Sequence, residues 1–274
     1  EVAYSTVVGI SPDLVTILLP DVGYCVVPII GEVTKVEQYG LLANCTNLTS
    51  TEYMFHECNE LKGAIPNDIF YTDSLTKRYN VLTTTANMFY HCGFNKTYVD
   101  ENTGINYFCD ANLLSKCPAL TNISNMFRGI KLPSCQLYMN MFARQTVLQN
   151  ASGLFWATNN LTGAITSTLF LNSLGTLTNA YGMFAFTNIN SVVSGFLNNG
   201  VKNTKLQQVG AIFYNCPNIT GASPSFWDGS LYTAIVSNQN GYYGALYNCT
   251  KLSNYSTAQA VSNNWTNNQD YVAY

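Results

Sequence analysis

Two histidines and nine cysteines are the side chains of this sequence best suited to catalysis or metal binding. His56 and His91 follow closely after aromatic residues, in the stretches FHEC and FYHC, and Glu57, next to His56, is the acidic residue close in sequence. Acid–base catalysis and metal binding need several converging carboxylates, imidazoles or thiolates. Walker, GxGxxG and HExxH motifs are missing from the sequence as well. We therefore expect no enzymatic activity and no metal or other cofactor.

The cysteines belong instead to a spacing that recurs along the chain. An aromatic or aliphatic residue is followed three residues later by a cysteine, and after three more by an aliphatic residue, as in Phe55, Cys58 and Leu61. Such repetition has to be recognised before any single motif is interpreted. The triplets Leu42-Cys45-Leu48, Leu114-Cys117-Leu120 and Leu246-Cys249-Leu252 have the same spacing. We expect the repeat core to contain Phe55, Cys58, Leu61, Phe89, Cys92, Phe155, Leu161, Phe184, Phe213, Cys216, Ile219, Cys249 and Leu252.

The cysteine position of the triplet also accepts other residues, since Ile130, Thr158 and Thr187 occupy it in other units. A position that takes Cys, Thr or Ile is typical of a small buried slot, which favours a core ladder of free thiols. Disulfides are the alternative, and they suit the off-pattern residues Cys25, Cys109 and Cys135 better, with Cys92 or Cys117 as a partner. No CxxC pair occurs, so the usual spacing of a zinc site is absent.

Each unit also shows signs of its local structure. A Thr or Asn commonly precedes the lead Phe, and such residues cap helices, which predicts a short helix or turn at that point. The segments Gly63–Ile65 and Gly163–Ile165 then suit a short strand, whose small residues would let the next coil approach closely. Neither element can bury its apolar side alone. We expect stacked coils, an α/β leucine-rich-repeat-like solenoid with one short strand and one short helix or turn per coil.

The phrase Met-Phe-x-x-Cys-x-x-Leu, at residues 54–61, with NMFYHC at 87–92, resembles the BspA-type leucine-rich repeats. The resemblance covers roughly residues 33–256. It implies a repeat solenoid used for adhesion and recognition at cell surfaces. Residues 1–32 lack the triplet and are expected to form a strand-rich cap or first coil, and residues 257–274 a C-terminal cap or a docking tail.

Composition limits the classes of partner. Only 10% of the residues are charged, against about 25% in typical soluble domains. A net charge of −3 without a basic cluster argues against nucleic acid and against docking on an anionic membrane. The most apolar region, residues 13–30, is interrupted by Pro20, Asp21 and Pro28, so we expect no membrane span. The chain starts at Glu1 and is expected to be a mature product or a fragment.

Asparagine is the most informative polar residue. An Asn- and Thr-rich chain generates N-x-Ser/Thr triplets by composition alone, and true glycan attachment, which requires a secretory route, is the alternative. The candidate glycosylation sites are Asn44, Asn47, Asn95, Asn122, Asn150, Asn160, Asn218, Asn248, Asn254 and Asn264.

Aromatic residues exceed what the repeat core uses, and Tyr and Trp are common in recognition surfaces. Incidental packing is the alternative for each one singly. The candidates for a binding face are Tyr71, Tyr90, Tyr98, Trp156, Trp227, Tyr242 and Tyr243.

These observations predict a non-enzymatic extracellular or cell-surface repeat protein that mediates adhesion or binds a receptor or glycan. The competing hypothesis is a self-assembling structural subunit of an extracellular filament, coat or virion. The expected partners are other copies of the chain, or a protein or glycan on a partner surface.

Overall fold

The structure is a computed structural model of the 274-residue chain. It describes residues 6–11, 14–19, 23–28, 41–42, 45–65, 69–70, 79–110, 112–193, 195–197, 203, 205–224, 241–261 and 265–266. The chain forms two compact units, Glu1–Gln38 and Tyr39–Tyr274.

The first unit contains a three-stranded antiparallel sheet in the order β1-β2-β3. Its strands are β1 (Thr6–Ser11), β2 (Leu14–Leu19) and β3 (Gly23–Pro28). The strands are rich in Val, Ile and Thr, which favour extended backbone because their branched side chains fit a pleated surface. The register between β1 and β2 shifts between Val7 and Gly9, as at a β-bulge.

The second unit has small sheets of few strands and almost no helix. A mixed four-stranded sheet joins β4 (Tyr98–Val99), β5 (Asn106–Tyr107), β6 (Cys135–Gln136) and β7 (Leu161–Thr162), and a parallel pair joins β8 (Ala164–Ile165) and β9 (Ser191–Val192). In the part of the chain that the structure describes, the helices are a 3-10 turn at Leu171–Ser173 and α1 at Tyr255–Val261.

Seven similar segments of this unit lie side by side. Each is centred on a lead residue, and the lead residues are Phe55, Phe89, Phe127, Phe155, Phe184, Phe213 and Leu246. Isolated parallel bridges connect successive segments, for example Thr84 with Asn122 and Asn122 with Asn150. The backbone N–H of each lead phenylalanine donates a hydrogen bond to a carbonyl of the next segment, as that of Phe55 does to Met88 over 2.9 Å. Long-range backbone pairing therefore links segments that are about 30 residues apart in sequence.

The lead segments are runs of turns and not helices. The residues two before and two after each lead residue have a left-handed backbone, for example Tyr53 (φ 60°) and Glu57 (φ 59°) around Phe55. An L-residue adopts this conformation rarely, and two of them within five residues interrupt an α-helix. Of the two expected alternatives, a short helix or a turn, the structure has the turn. The Thr and Asn residues interpreted as helix caps instead accept a hydrogen bond from the N–H two residues later, as Asn122 does from Ser124 over 3.1 Å.

The lead phenylalanines form one continuous stack in the core. Neighbouring ring centroids from Phe55 to Phe213 lie 5.2–5.8 Å apart, with interplanar angles of 13° or less. Near-parallel rings at this spacing bury their faces against one another. The residues expected in the repeat core lie in this interior, all of them buried except Cys58, which is half-buried.

Two of the triplets, those that contain Cys45 and Cys117, occupy a different position in the repeat from the one expected. Cys45 and Cys117 lie ten residues before a lead phenylalanine, whereas Cys58 and Cys92 lie three residues after one. Gln145 is also ten residues before its lead residue, and its Nε2 donates to the backbone carbonyl of Leu114 over 2.8 Å. The single-template interpretation was wrong at this point because one apolar spacing serves two separate turns of each repeat.

The glycines of the Gly-Ala segments agree with the expectation in one case and differ from it in two. A Cβ on Gly163 would lie 2.8 Å from the Gln136 side chain, so this glycine does allow a neighbouring segment to approach closely. A Cβ on Gly63 or Gly221 would meet no atom within 4 Å, so neither glycine makes room for a neighbouring segment. Their φ angles are +95° and +77°. Glycine adopts this backbone conformation without the steric penalty of other residues, and it therefore serves the turn.

Candidate binding surface

In several repeats the cysteine position holds a hydrogen-bond donor directed at the preceding repeat, whereas Ile130 carries no donor there and the Thr187 hydroxyl donates to Phe184 of its own repeat. The Cys92 thiol donates to the backbone carbonyl of Phe55 over 2.7 Å. At the same position of a later unit, the Thr158 hydroxyl donates to the carbonyl of Phe127 over 2.8 Å. A thiol and a hydroxyl thus satisfy the same buried acceptor, which explains why Cys and Thr exchange in this slot.

Burial keeps these thiols protonated. Cys216 and Cys249 donate to the carbonyls of Phe184 and Phe213, each over 3.0 Å. Desolvation raises the pKa of Cys216 to about 11 and raises that of Cys249 well above its usual value. Because the thiolate is the reactive form, such cysteines are poor nucleophiles at neutral pH. Their contribution is to the core.

Most of the described cysteines carry free thiols, namely Cys58, Cys92, Cys109, Cys117, Cys135, Cys216 and Cys249. The disulfide alternative is therefore not present for Cys109 or Cys135. The Cys109 thiol lies 3.8 Å from the Met141 sulfur instead. The side chain of Cys25 lies outside the described residues.

A second regular row lies on the outside of the same segments. The residue that follows each lead residue is, in order, His56, Tyr90, Arg128, Trp156, Ala185, Tyr214 and Tyr247, and we call these seven residues the outer row. The turn places each of them next to its counterpart in the neighbouring segment, as the carbonyl of Trp156 shows by accepting the N–H of Gly129 over 2.7 Å. The alternation of the turn thus directs lead residues to one side and outer-row residues to the other. Trp156, Ala185 and Tyr214 are buried there, and the other members of the row are half-buried.

The aromatic rings of the outer row stack on one another. His56 and Tyr90 have ring centroids 4.8 Å apart at an interplanar angle of 6°, and Tyr214 and Tyr247 lie 4.6 Å apart at 26°. Stacking covers the ring faces. The row therefore offers a partner mainly ring edges and phenolic hydroxyls, which are both apolar and capable of hydrogen bonding.

A single cation interrupts the aromatic series. The Arg128 guanidinium lies 5.7 Å from the ring centroid of Tyr90 and 4.6 Å from that of Trp156. A guanidinium held at such distances over aromatic faces gains a cation–π attraction. This contact restrains Arg128 without an acidic partner in the row.

Close backbone approach positions the Trp156 ring of the outer row and the ring of His91, which follows Tyr90 of the row. A Cβ on Gly182 would lie 2.3 Å from the Trp156 ring, and a Cβ on Gly129 would lie 2.0 Å from the His91 ring. Both glycines also have positive φ angles, +59° and +66°. The rings therefore lie directly on the backbone of the next repeat, in space that any side chain at these positions would fill.

The middle of the row is a small apolar cluster. Trp156, Ala185 and Tyr214 of the row are buried together with Ala211. Partly buried hydrophobic residues pack against this cluster, namely Ala157, Tyr181, Phe186 and Tyr247. Burial, with Tyr247 and Tyr181 nearby, raises the pKa of the Tyr214 hydroxyl. Tyr214 therefore stays protonated and able to donate a hydrogen bond at neutral pH.

The aromatic residues selected from the sequence are divided between several places. Tyr90 and Trp156 belong to the outer row. Tyr98 lies in β4, with its ring 6.2 Å from Tyr138, and Tyr242 packs on Tyr243 and on Trp265. Tyr71 and Trp227 lie outside the described residues. The sequence interpretation missed the rest of the row, although its fixed position after the lead residue was a signal in the repeat itself.

Several candidate glycosylation asparagines use their side chains within the fold. The oxygens of Asn122 and Asn150 accept the N–H of Ser124 and Ser152 within their own turns. The nitrogens of Asn160, Asn218 and Asn248 donate to other repeats, over 2.5 Å to Leu132, 3.2 Å to Asn188 and 2.6 Å to Asn215 respectively. The Asn254 oxygen accepts the N–H of Ser223. These contacts give the asparagines a structural role that requires no glycan.

Two exposed sites fall outside this group. Asn47 and Asn95 are exposed, and the Asn95 side chain contributes its oxygen, accepting the N–H of Gly63 over 2.7 Å. The nitrogen is the atom that a glycan would occupy, so these two sites stay the best candidates among the described asparagines. Asn44 and Asn264 lie outside the described residues.

Among the described residues, no group of three or more His, Cys, Asp or Glu side chains could hold a metal ion. No helix among them is long and apolar enough to cross a membrane. No protein-family model, curated protein or solved structure matches the chain.

Proposed function

We propose that this chain is a non-enzymatic extracellular or cell-surface protein, built as a leucine-rich-repeat-like solenoid, that binds another macromolecule through its outer row. Adhesion to a receptor or glycan is the activity that the BspA-type resemblance implies. The observation that carries the proposal is the outer row itself, in which aromatic rings and one guanidinium stack across successive repeats and are half-buried at its two ends.

The solenoid is supported by the pairing of successive lead segments. The bridges run in parallel from Ser50 through Thr84, Asn122, Asn150 and Asn179 to Gln208. Each segment pairs with the next one in sequence, and the lead phenylalanines stack in the same order. Such nearest-neighbour pairing is what a repeat solenoid would require.

A binding role is supported by the chemistry of the row. Tyr, Trp and Arg are enriched in the energetically important part of protein interfaces because they combine large contact area with polar tips. The row also lies on a surface built mainly from Asn, Thr and Ser, since only 10% of the residues are charged. The buried, protonated thiols suit an oxidising exterior, because protonated thiols exchange slowly.

Substitutions at the end of the row remote from Arg128 test this function. We expect Tyr247→Ala to weaken retention of the purified protein on immobilised glycoproteins such as mucin by about tenfold, as for an interface aromatic. Thr250→Ala, at an exposed position three residues away, is the matched control and should leave retention unchanged. Equal retention of both variants and the wild type, with unchanged folding by circular dichroism, would exclude the outer row as the binding surface.

A second candidate function, self-assembly, is favoured by the first repeat. The carbonyls of Ala86, Met88 and Tyr90 accept N–H groups from Tyr53, Phe55 and Glu57. Among the described residues of Tyr39–Tyr274, no N–H donates to the equivalent carbonyls of the first repeat, those of Glu52, Met54 and His56. An open row of acceptors is a template for pairing with another chain.

Residues 1–10 or 267–274 would supply the contact with a neighbouring copy, head to tail, under this second candidate. Residues 1–5 and 267–274 lie outside the described residues, and β1 (Thr6–Ser11) is an edge strand of its sheet. Deleting residues 1–10 should then abolish large assemblies in analytical ultracentrifugation while the repeats stay folded. An intact chain that remains monomeric at high concentration would exclude self-assembly.

A further inference from the structure

The two histidines of the chain, which are 35 residues apart in sequence, meet at one ring of the outer row. His56 stacks on Tyr90 with a centroid separation of 4.8 Å, and the centroid of His91 lies 4.2 Å from the same ring. The Arg128 guanidinium lies 5.7 Å from the Tyr90 centroid. Three basic side chains from three repeats therefore surround one tyrosine in a protein with few charges.

The electrostatic surroundings of His91 are mainly positive. Burial lowers the pKa of His91, and Arg128, His56 and Lys131 lower it further, while Glu57 alone acts in the opposite direction. His91 and Lys131 are exposed, and His56 and Arg128 are half-buried. Solvent and a ligand can thus reach the positive side chains without any rearrangement of the core.

We propose that this cluster, which we call the Tyr90 corner (His56, Tyr90, His91, Arg128 and Lys131), binds the carboxylate or sulfate groups of an acidic polysaccharide, and binds them more tightly at acidic pH. The inference rests on the proposed binding function and specifies a ligand class for one end of the outer row.

The need for an anion follows from the charges. At neutral pH Arg128 and Lys131 are cationic and Glu57 is the opposing charge named above, so the corner carries a net positive charge. A guanidinium presents a fork of N–H donors that matches a carboxylate or a sulfate. Its stacking over Tyr90 and Trp156 holds the side chain in place, which lowers the conformational entropy that binding would cost.

The spacing of the repeats favours a polysaccharide over an acidic peptide. Successive outer-row rings advance by 4.6–4.8 Å where they stack closely. An extended peptide running along the row advances by only about 3.3 Å per residue and would lose register with the repeats. The phenolic hydroxyls and ring edges of the row also suit the hydroxyl groups of sugars.

The pH dependence follows from His91. Burial and the neighbouring cations lower the pKa of His91, so this imidazole is neutral at neutral pH and becomes an additional cation next to Arg128 only in acid. An anion bound among them compensates the mutual repulsion of these cations. Acid should therefore strengthen binding and, by linkage, the bound anion should raise the pKa of His91.

The test compares four soluble probes at constant ionic strength and at two pH values, about 5.5 and about 7.5. The probes are heparin, which is sulfated, polygalacturonate, which is carboxylated, neutral dextran, and polyglutamate as an acidic peptide. We expect heparin and polygalacturonate to bind, with an affinity gain of about tenfold in acid. Arg128→Gln should weaken binding about tenfold at both pH values. His56→Gln/His91→Gln should remove the gain in acid, and the control Lys205→Gln should behave as the wild type.

Three results would overturn the proposal. Equal binding of neutral dextran would show that anions are not recognised. Equal losses in Arg128→Gln and Lys205→Gln would show a diffuse charge effect without a site. Tighter binding of polyglutamate than of both polysaccharides would show an acidic polypeptide ligand. If any of these results is obtained while Tyr247→Ala still weakens mucin retention, the ligand assigned to the Tyr90 corner is wrong and the proposed binding function stands.

Discussion

At the scale of single residues, the cysteine slot shows what the fold requires of a side chain. Cys216 donates to the Phe184 carbonyl and lies 3.4 Å from the Thr187 hydroxyl, which occupies the same position in the preceding repeat. The position is fully buried. Ile130 occupies the equivalent position without a donor, so the slot requires a buried side chain of limited size, and a donor adds a hydrogen bond where one is present.

Replacing Cys216 by Thr or by Val, two residues of nearly equal volume, separates the effect of the hydrogen-bond donor from the effect of packing. Cys216→Thr should be tolerated to within about 1 kcal/mol, because its hydroxyl can replace the thiol as a donor, as in Thr158. Cys216→Val removes this donor while the Phe184 carbonyl still accepts the N–H and the hydroxyl of Thr187, so the lost hydrogen bond should cost about 0.5–1.5 kcal/mol. Chemical denaturation of both variants measures the difference. Equal destabilisation would show that packing alone, and not the hydrogen bond, determines the residue in this slot.

The raised thiol pKa values predict loss of stability in alkali. Burial raises the pKa of Cys92 and Cys135 to about 12 and that of Cys216 to about 11. These thiols ionise near pH 9 in the unfolded chain, so their contribution is complete below that pH and is lost as the pH rises toward the folded pKa values. Each buried thiol should lower the unfolding free energy by about 1.4 kcal/mol per pH unit above 9.

Denaturant titrations under reducing conditions from neutral pH to about pH 10.5 would measure this loss. Cys216→Thr provides the control, because it removes one ionising thiol. The loss of unfolding free energy per pH unit should therefore be smaller in this variant by the contribution of that thiol. A stability that is constant up to pH 10.5 would contradict the assignment of these cysteines as buried and protonated.

At the scale of elements, the lead turn depends on left-handed residues in fixed places. Gly182 combines a positive φ of +59° with a Trp156 ring atom 2.3 Å from the site of its missing Cβ. Gly182→Ala should therefore destabilise by more than the roughly 1 kcal/mol that such a backbone strain costs, since the Trp156 ring must also move. Gly175→Ala is the matched control, because that site has no unusual φ and no atom within 4 Å.

Thermal unfolding of the two glycine variants, together with the near-ultraviolet circular dichroism of the Trp156 environment, checks this prediction. Equal melting temperatures for Gly182→Ala and Gly175→Ala would show that the ring has room to move and that the close approach is not required.

The same elements show how far the sequence could predict the structure. The spacing of Phe155, Phe184 and Phe213 located the interior, because burial imposes its period on apolar residues. The type of element was harder to predict. The Thr and Asn residues before each lead residue suit helix caps and turns equally, and left-handed residues such as Phe186 (φ 59°) leave no sign in the residue type.

The outer row shows a further limit. Its members include His56, Arg128, Trp156 and Ala185, which share no chemical class, so no composition rule groups them. Their proximity results from long-range pairing between segments, as Phe155 N–H to the Met183 carbonyl over 2.8 Å illustrates. A local pattern identifies the position in each repeat, and only the register of the pairing shows which rings touch.

At the scale of the whole molecule, the C-terminal end of the array is covered by the chain itself. The Leu246 N–H, which would otherwise point past the last repeat, donates to the Trp265 carbonyl over 2.8 Å. Trp265 is fully buried, and its ring lies 4.9 Å from that of Tyr242. This arrangement gives the end of the array the protection that terminal repeats need.

The effect of removing this cover tests the repeat architecture directly. In a solenoid each repeat contacts only its neighbours, so Trp265→Ala should loosen the last segment far more than the middle ones. Hydrogen exchange should accelerate strongly at the N–H groups of Phe213 and Asn215, which donate to the last segment, and little at those of Phe89 and His91. A uniform acceleration along the chain would show a single cooperative core and would contradict the solenoid. A substitution of the exposed Ser256 in α1 by alanine is the control, and its exchange pattern should match the wild type.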